Sequence, residues 1–155
     1  MPCDAVTLAP YMGKDSVQPF LDYEGKWSVV LALTSNASAN DFEMLPVGET
    51  PLYEKVIKTT MTWGSKEDTM FVVGATRPEK LAEIREYCPD NFFLVPGVGA
   101  QGGTVDEVAK YGLNQHCGLL VNSSRGIIFA DKSENFAKVA GEKAKELADQ
   151  MAAWL

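Results

Sequence analysis

Short apolar runs alternate with amphipathic stretches along the whole chain. Residues 4–9, 27–33, 70–75, 92–96 and 118–122 are β-branched or apolar runs of the length of strands. Trp27-Ser28-Val29-Val30-Leu31-Ala32-Leu33 is apolar enough to be covered on both faces, as in a parallel sheet. Pro10-Tyr11-Met12-Gly13 reads as a turn, followed by a short helix over residues 16–23 in which Pro19 is tolerated only in the first turn. Residues 34–50 form a long polar connection rich in Ser, Asn and Ala, the kind of loop that is functional or mobile. Thr50 as N-cap and Pro51 at the first helical position predict a helix to about Trp63. Thr76-Arg77-Pro78-Glu79 reads as a capping box for a helix ending near Tyr87. A closing helix spans residues 133–155, where Phe136, Val139, Ala140, Leu147 and Met151 recur at helical spacing and are expected to face the core.

The pattern amounts to five β/α units without a linker or repeat, read as one domain over residues 1–155. Such alternation predicts an α/β fold with a parallel sheet and right-handed crossovers. It fits either an open doubly wound sheet or most of a barrel, and patterning does not separate the two. With 155 residues the chain is shorter than a complete eight-unit barrel, which takes about 250.

Charge and rare residues narrow the chemistry. The net charge is −7 and the basic residues are scattered, which argues against nucleic acid as a partner. No stretch approaches the roughly 20 apolar residues of a membrane span, and the N-terminus has no signal-peptide pattern, so a cytoplasmic protein is expected. Cys3, Cys88 and Cys117 show no CxxC spacing and read as reduced thiols. His116 is the only histidine, which excludes a histidine-rich metal site, and no Gly-x-Ser-x-Gly elbow supports a Ser-His-Asp triad.

The candidate chemistry lies in two late loops. Phe92-Phe93-Leu94-Val95 runs into Pro96-Gly97-Val98-Gly99-Ala100-Gln101-Gly102-Gly103, where glycines let the backbone turn its N–H groups inward. Thr104, with Glu107 three positions on, then predicts a capped helix start whose positive end opens at the loop. One unit later, Gly118-Leu119-Leu120-Val121-Asn122 delivers Ser123-Ser124-Arg125-Gly126 to a second loop. Arginine offers a fixed fork of donors that matches phosphate oxygens. A lone glycine loop is more often a tight turn, and a lone loop arginine is usually solvated. Together, each behind an apolar strand and one unit apart, they point to a phosphate site.

These two segments closely resemble the bacterial type 2 subfamily of orotidine 5′-phosphate decarboxylase. The likeness extends upstream: Asp4-Ala5-Val6-Thr7-Leu8-Ala9-Pro10-Tyr11-Met12-Gly13 resembles that family's fourth strand and its exit. Leu33-Thr34-Ser35-Asn36 resembles the end of the fifth, and Val72-Val73-Gly74-Ala75-Thr76 the sixth. The resemblance implies a TIM-type (β/α)₈ barrel of which this chain carries five consecutive units, resembling strands four to eight, an incomplete barrel. It implies decarboxylation of orotidine monophosphate to UMP in pyrimidine biosynthesis, with no metal or cofactor. Gln101 would then hold the 5′-phosphate through its side-chain amide. Gly102 would close over it with the loop, Arg125 would pair with it, and the backbone of Ser124 and Arg125 would complete the grip. Ser35 would read N3–H and O4 of the pyrimidine. Loop closure would turn remote binding energy into transition-state stabilisation.

One departure matters. The family's proton donor is a lysine in an Asp-x-Lys-x-x-Asp motif after its third strand, and that motif does not occur in these 155 residues. Asp131-Lys132 and the group Lys143, Lys145 and Asp149 read as solvated surface. No catalytic residue is therefore assigned, and the chain reads as the C-terminal five-eighths of the enzyme, inactive alone. Open strand edges near residues 4–9 and 118–122 predict a homodimer, a swapped assembly or a separate complementing chain. Two alternatives stay open: a non-catalytic module binding UMP-type nucleotides or another protein, and a sugar-phosphate enzyme on the same barrel.

Overall fold

The computed structural model describes residues 3–99 and 102–155. In chain order the first elements are β1 (Ala5–Leu8), a 3₁₀ turn (Pro10–Met12), α1 (Lys14–Leu21) and β2 (Trp27–Leu33). Next come α2 (Ala39–Phe42), β3 (Pro46–Val47), β4 (Thr50–Pro51), α3 (Leu52–Thr60), β5 (Thr69–Val73) and α4 (Pro78–Tyr87). The chain closes with β6 (Phe93–Pro96), α5 (Val105–Gly112), β7 (Leu119–Asn122), α6 (Arg125–Ile128) and α7 (Phe136–Ala152). β1, β2, β5, β6 and β7 form one sheet in that order, every neighbouring pair parallel.

Strand order resolves what periodicity left open. A doubly wound sheet reverses direction at a switch point and places helices on both faces. Here the order never reverses. Tyr53 and Ile57 of α3, Leu81 and Ile84 of α4, Val105 and Val108 of α5, and Leu147 and Met151 of α7 all join one apolar cluster on one face. That is the winding of a barrel wall. The row Val30, Phe71, Phe93 and Leu119 crosses four strands in register beneath these helices, each side chain buried. The other face carries Leu31, Val72, Leu94 and Leu120 in register, and Leu120 is 51% exposed.

Several elements depart from expectation. α1 begins two residues earlier than predicted, so Pro19 lies in its second turn. There it forfeits a single ladder bond in an eight-residue helix, and Gly13 starts the helix by accepting the Ser16 hydroxyl at 2.7 Å. Residues 34–50 are structured: they hold α2 and a small hairpin in which Val47 pairs with Thr50 across Gly48-Glu49. Thr50 is therefore a strand residue, and Pro51 occupies the cap of α3. Thr76 does not cap α4. Its hydroxyl donates instead to the Ser35 carbonyl at 3.3 Å, and Arg77 stands at the cap position without a side-chain capping bond. In α7, Leu147 and Met151 reach the core, but Phe136 is 57% exposed. The end of the chain is pinned where Trp154 Nε1 donates to Asp106 of α5 at 2.9 Å.

Beneath α4, burial pushes the Cys88 thiol up to about 12, against a smaller opposing pull from Arg85. Burial likewise raises Tyr53 and Tyr87. Thiolate and phenolate are thus disfavoured in the folded state, while the unfolded chain ionises Cys88 near pH 9. Between about pH 9 and pH 12 the unfolded state binds fewer protons, so stability is full below pH 9 and falls above it. Denaturant midpoints measured from pH 7 to 11 should decline from pH 9 upward, and less steeply in Cys88→Ala. A Cys88→Ala curve parallel to the parent would contradict this.

Candidate functional site

The sheet presents its strand ends on one rim, and the two late loops leave that rim side by side. Pro96 pairs with Asn122 as the last register pair of β6 and β7, so both exits start level. Between them lies a cleft of about 130 Å³ lined by Pro96, Gly97, Val98, Asn122, Ser123, Ser124 and Arg125. No carboxylate lines it, although the chain as a whole is acidic.

Backbone conformation explains the composition of the first loop. Gly97, Gly99 and Gly102 have φ of 99°, 81° and 95°, a region that side-chain-bearing residues rarely adopt. The loop closes on itself: Gly99 N donates to the Gly103 carbonyl at 2.8 Å, and Gly102 N to the Gly99 carbonyl at 3.0 Å. Gly103 is glycine for a different reason. A Cβ there would stand 2.5 Å from Ala75 Cβ and 2.8 Å from the Ala75 carbonyl. The loop is therefore seated on the exit of β5, where Ala75 N also donates to the Pro96 carbonyl at 2.9 Å.

Thr104 caps α5 as the sequence predicts. Its hydroxyl accepts from Glu107 N at 3.2 Å and donates to the Glu107 carboxylate at 2.7 Å. Thr104→Ala should lower stability by about 1 kcal/mol, read as a shift in denaturant midpoint; an unchanged midpoint would mean that water replaces the cap without loss.

The predicted site residues separate into three groups. Ser124 and Arg125 line the cleft. The Ser124 carbonyl accepts from Ile127 N at 3.1 Å and Ile128 N at 2.8 Å, starting α6 where an irregular loop was expected. Arg125 is exposed, and no ion pair holds its guanidinium among the described residues. Gly102 belongs to the adjacent glycine loop but does not line the cleft, and Gln101 lies outside the described residues.

Ser35 stands apart, half-buried just past the end of β2. β2 and β7 are three strand spacings apart, about 14 Å along the sheet and less across a curved wall. Ser35 packs against β5 because Gly74 has no side chain: a Cβ there would fall 2.7 Å from Ser35 N and 2.8 Å from Ser35 Cα.

Asn122 and Ser123 line the cleft and were not singled out from the sequence. The available signal was their position on the last strand and its exit, beside Ser124. Among the described residues no cluster of His, Cys, Asp and Glu could hold a metal ion, and no helix is long and apolar enough to cross a membrane. What the cleft offers is one cationic fork and two serine hydroxyls beside a glycine loop, a set suited to a small anion.

Comparisons with known proteins agree with this architecture. The family model for orotidine 5′-phosphate decarboxylase / HUMPS matches residues 1–140. The orotidine 5′-phosphate decarboxylase of Christiangramia forsetii is 57% identical over 98% of this chain and 56% of its own length. That of Bacteroides fragilis is 55% identical over 96% of this chain and 55% of its own. The chain spans about half the length of the curated relatives it matches. Among solved structures, Leishmania donovani UMP synthase superposes with a TM-score of 0.81 at 39% identity, covering 97% of this chain and 34% of that one. Leishmania donovani OMP decarboxylase gives 0.79 at 36%, covering 97% and 58%.

Proposed function

The chain belongs to the orotidine 5′-phosphate decarboxylase / HUMPS family, and from that premise we propose that it carries the nucleotide-binding half of a decarboxylase that converts orotidine monophosphate to UMP and CO₂. The observation that carries this reading is the cleft between the β6 and β7 exits, which puts Arg125, Ser124 and the glycine loop around one anion-sized space. In the proposed role Arg125 pairs with the 5′-phosphate, and the Ser124 and Arg125 backbone adds donors. The Gly99–Gly103 loop, with Gln101 and Gly102, closes over it. Ser35, up to about three strand spacings away, faces the pyrimidine edge.

Binding of this kind serves the reaction from a distance. Phosphate contacts orient the substrate and hold the loop shut, so their energy is realised at the pyrimidine carbon that loses CO₂. The vinyl carbanion left there needs a proton. The lysine that the resemblance assigns to that step belongs to a motif these residues do not contain, so the chain by itself is expected to bind UMP without turning over orotidine monophosphate.

Self-association is part of the same proposal. β1 and β7 each have one sheet neighbour, and Val6 and Leu120 on them are 39% and 51% exposed. A cytoplasmic location is also part of it, resting on the absence of CxxC spacing among the cysteines of the sequence.

Calorimetric titration with UMP tests the proposal. The phosphate contacts are charge-assisted and contribute about 1.5–3 kcal/mol each, part of it offset by loop ordering, which places Kd near the millimolar range. Arg125→Ala should weaken binding at least about tenfold. Absence of saturable binding, or an Arg125→Ala affinity equal to that of the parent, would contradict it.

A further inference from the structure

The residue before Ser35 is gripped by the carboxylate of Glu43. Glu43 follows α2, half-buried in the segment between β2 and α3. One of its oxygens accepts the Thr34 backbone N–H at 2.7 Å, and the other accepts the Thr34 hydroxyl at 2.8 Å. The pair of bonds is charge-assisted and grips the residue directly before Ser35. Thr34 Oγ1 also lies 2.6 Å from Asn36 Oδ1, on the other side of Ser35.

Glu43 is itself anchored. Its carbonyl accepts from Tyr53 N at 2.9 Å, and Tyr53 is buried at the start of α3. The helix before it is tied to the β5 exit, where Arg77 Nη2 donates to Asn40 Oδ1 at 3.0 Å. Thr76 and Gly74 fix Ser35 from that same exit. The peptide at Ser35 is thus clamped from two elements at once.

We propose that Glu43 is a positioning residue for the pyrimidine contact, setting the orientation of Ser35 through its two bonds to Thr34. This rests on the reading of Ser35 as the residue that faces the base. The carboxylate accepts both bonds, one oxygen to each donor. In Glu43→Ala the Thr34 N–H and hydroxyl both lose this acceptor. The Ser35 peptide then loses one of its supports, while the phosphate cleft, built from β6 and β7, is untouched.

The test compares two probes, UMP and ribose 5-phosphate, which share the phosphate but not the base. Calorimetry on the parent chain should give tighter binding of UMP. Glu43→Ala should reduce the ratio of UMP to ribose 5-phosphate affinity about fivefold, with ribose 5-phosphate affinity unchanged. Thr34→Val, which removes only the hydroxyl bond, should reduce the ratio in the same direction by less. Arg125→Ala should weaken both probes in equal proportion. Retained ribose 5-phosphate binding reports that each variant is folded. An unchanged ratio in Glu43→Ala and Thr34→Val overturns the positioning role alone. A parent chain that binds both probes equally overturns the base site at Ser35, and the positioning role with it.

Discussion

Arg85→Met is expected to destabilise the chain by about 3–5 kcal/mol, more than any substitution on its exposed surface. Arg85 projects from α4 into the space below β6 and β7, its guanidinium 3.6 Å from the centre of the Phe93 ring. It donates to the carbonyls of Asn91 at 2.7 Å, Gly112 and Gly118 at 2.8 Å, Cys88 at 3.2 Å and Pro89 at 3.3 Å. Those carbonyls belong to the C-terminus of α5 and to the turns that feed β6 and β7. Burial lowers the Arg85 pKa to about 10, so it stays charged at neutral pH. Its solvation is replaced by carbonyl dipoles, with no carboxylate among its hydrogen-bond partners. Methionine fills the volume but removes the charged donor from the Cys88, Asn91 and Gly112 carbonyls, while Gly118 O keeps Phe93 N and Pro89 O keeps Asn114 Nδ2. Arg85→Lys should recover only part of the loss, because a compact ammonium cannot span a planar fork. Denaturant midpoints measure both, and a loss under about 1 kcal/mol for Arg85→Met would contradict the assignment.

The second large effect concerns the rim. Gly103→Ala and Gly74→Ala each place a methyl carbon within 2.8 Å of backbone, against Ala75 and Ser35 respectively. Backbone cannot rotate away as a side-chain end can, so each should cost about 1–3 kcal/mol. The functional consequences should differ. Gly103→Ala lifts the glycine loop off β5 and should weaken binding of UMP and ribose 5-phosphate alike. Gly74→Ala shifts Ser35 and should weaken UMP alone. Equal stability of either variant and the parent would mean that the strand exits are looser than the packing implies.

The strands were legible because burial is written into composition: β2 and β5 are almost wholly apolar, and both are covered on two faces. The glycine loop and the Thr104 cap were legible because their chemistry is local. What was not legible depends on partners distant in sequence. Barrel winding is a matter of which strand lies beside which, and periodicity within a strand carries no record of that. Arg85 looks like any charged residue on a helix, because its acceptors come from the end of α5 and from two separate turns. Thr76 satisfied the pattern of a cap, yet its hydroxyl found a nearer acceptor at Ser35. Phe136 shares a face with Leu147, but spacing reports which face a residue lies on and not how far along the helix the core extends. The hairpin at residues 46–51 was masked by its polar surroundings, and only Gly48 between Val47 and Thr50 marked it.

At the site, Ser124 and Arg125 were readable as a motif, whereas Glu43 had no signal of its own. Its role exists only once α2 folds back over the end of β2.

A crystal structure of the chain with UMP is the most direct measurement of the central claim. The account predicts the 5′-phosphate in the cleft between residues 96–98 and 122–125, within hydrogen-bond distance of the Arg125 guanidinium, with the pyrimidine toward Ser35. A phosphate bound elsewhere, or an Arg125 side chain turned away to solvent with the nucleotide present, would contradict it.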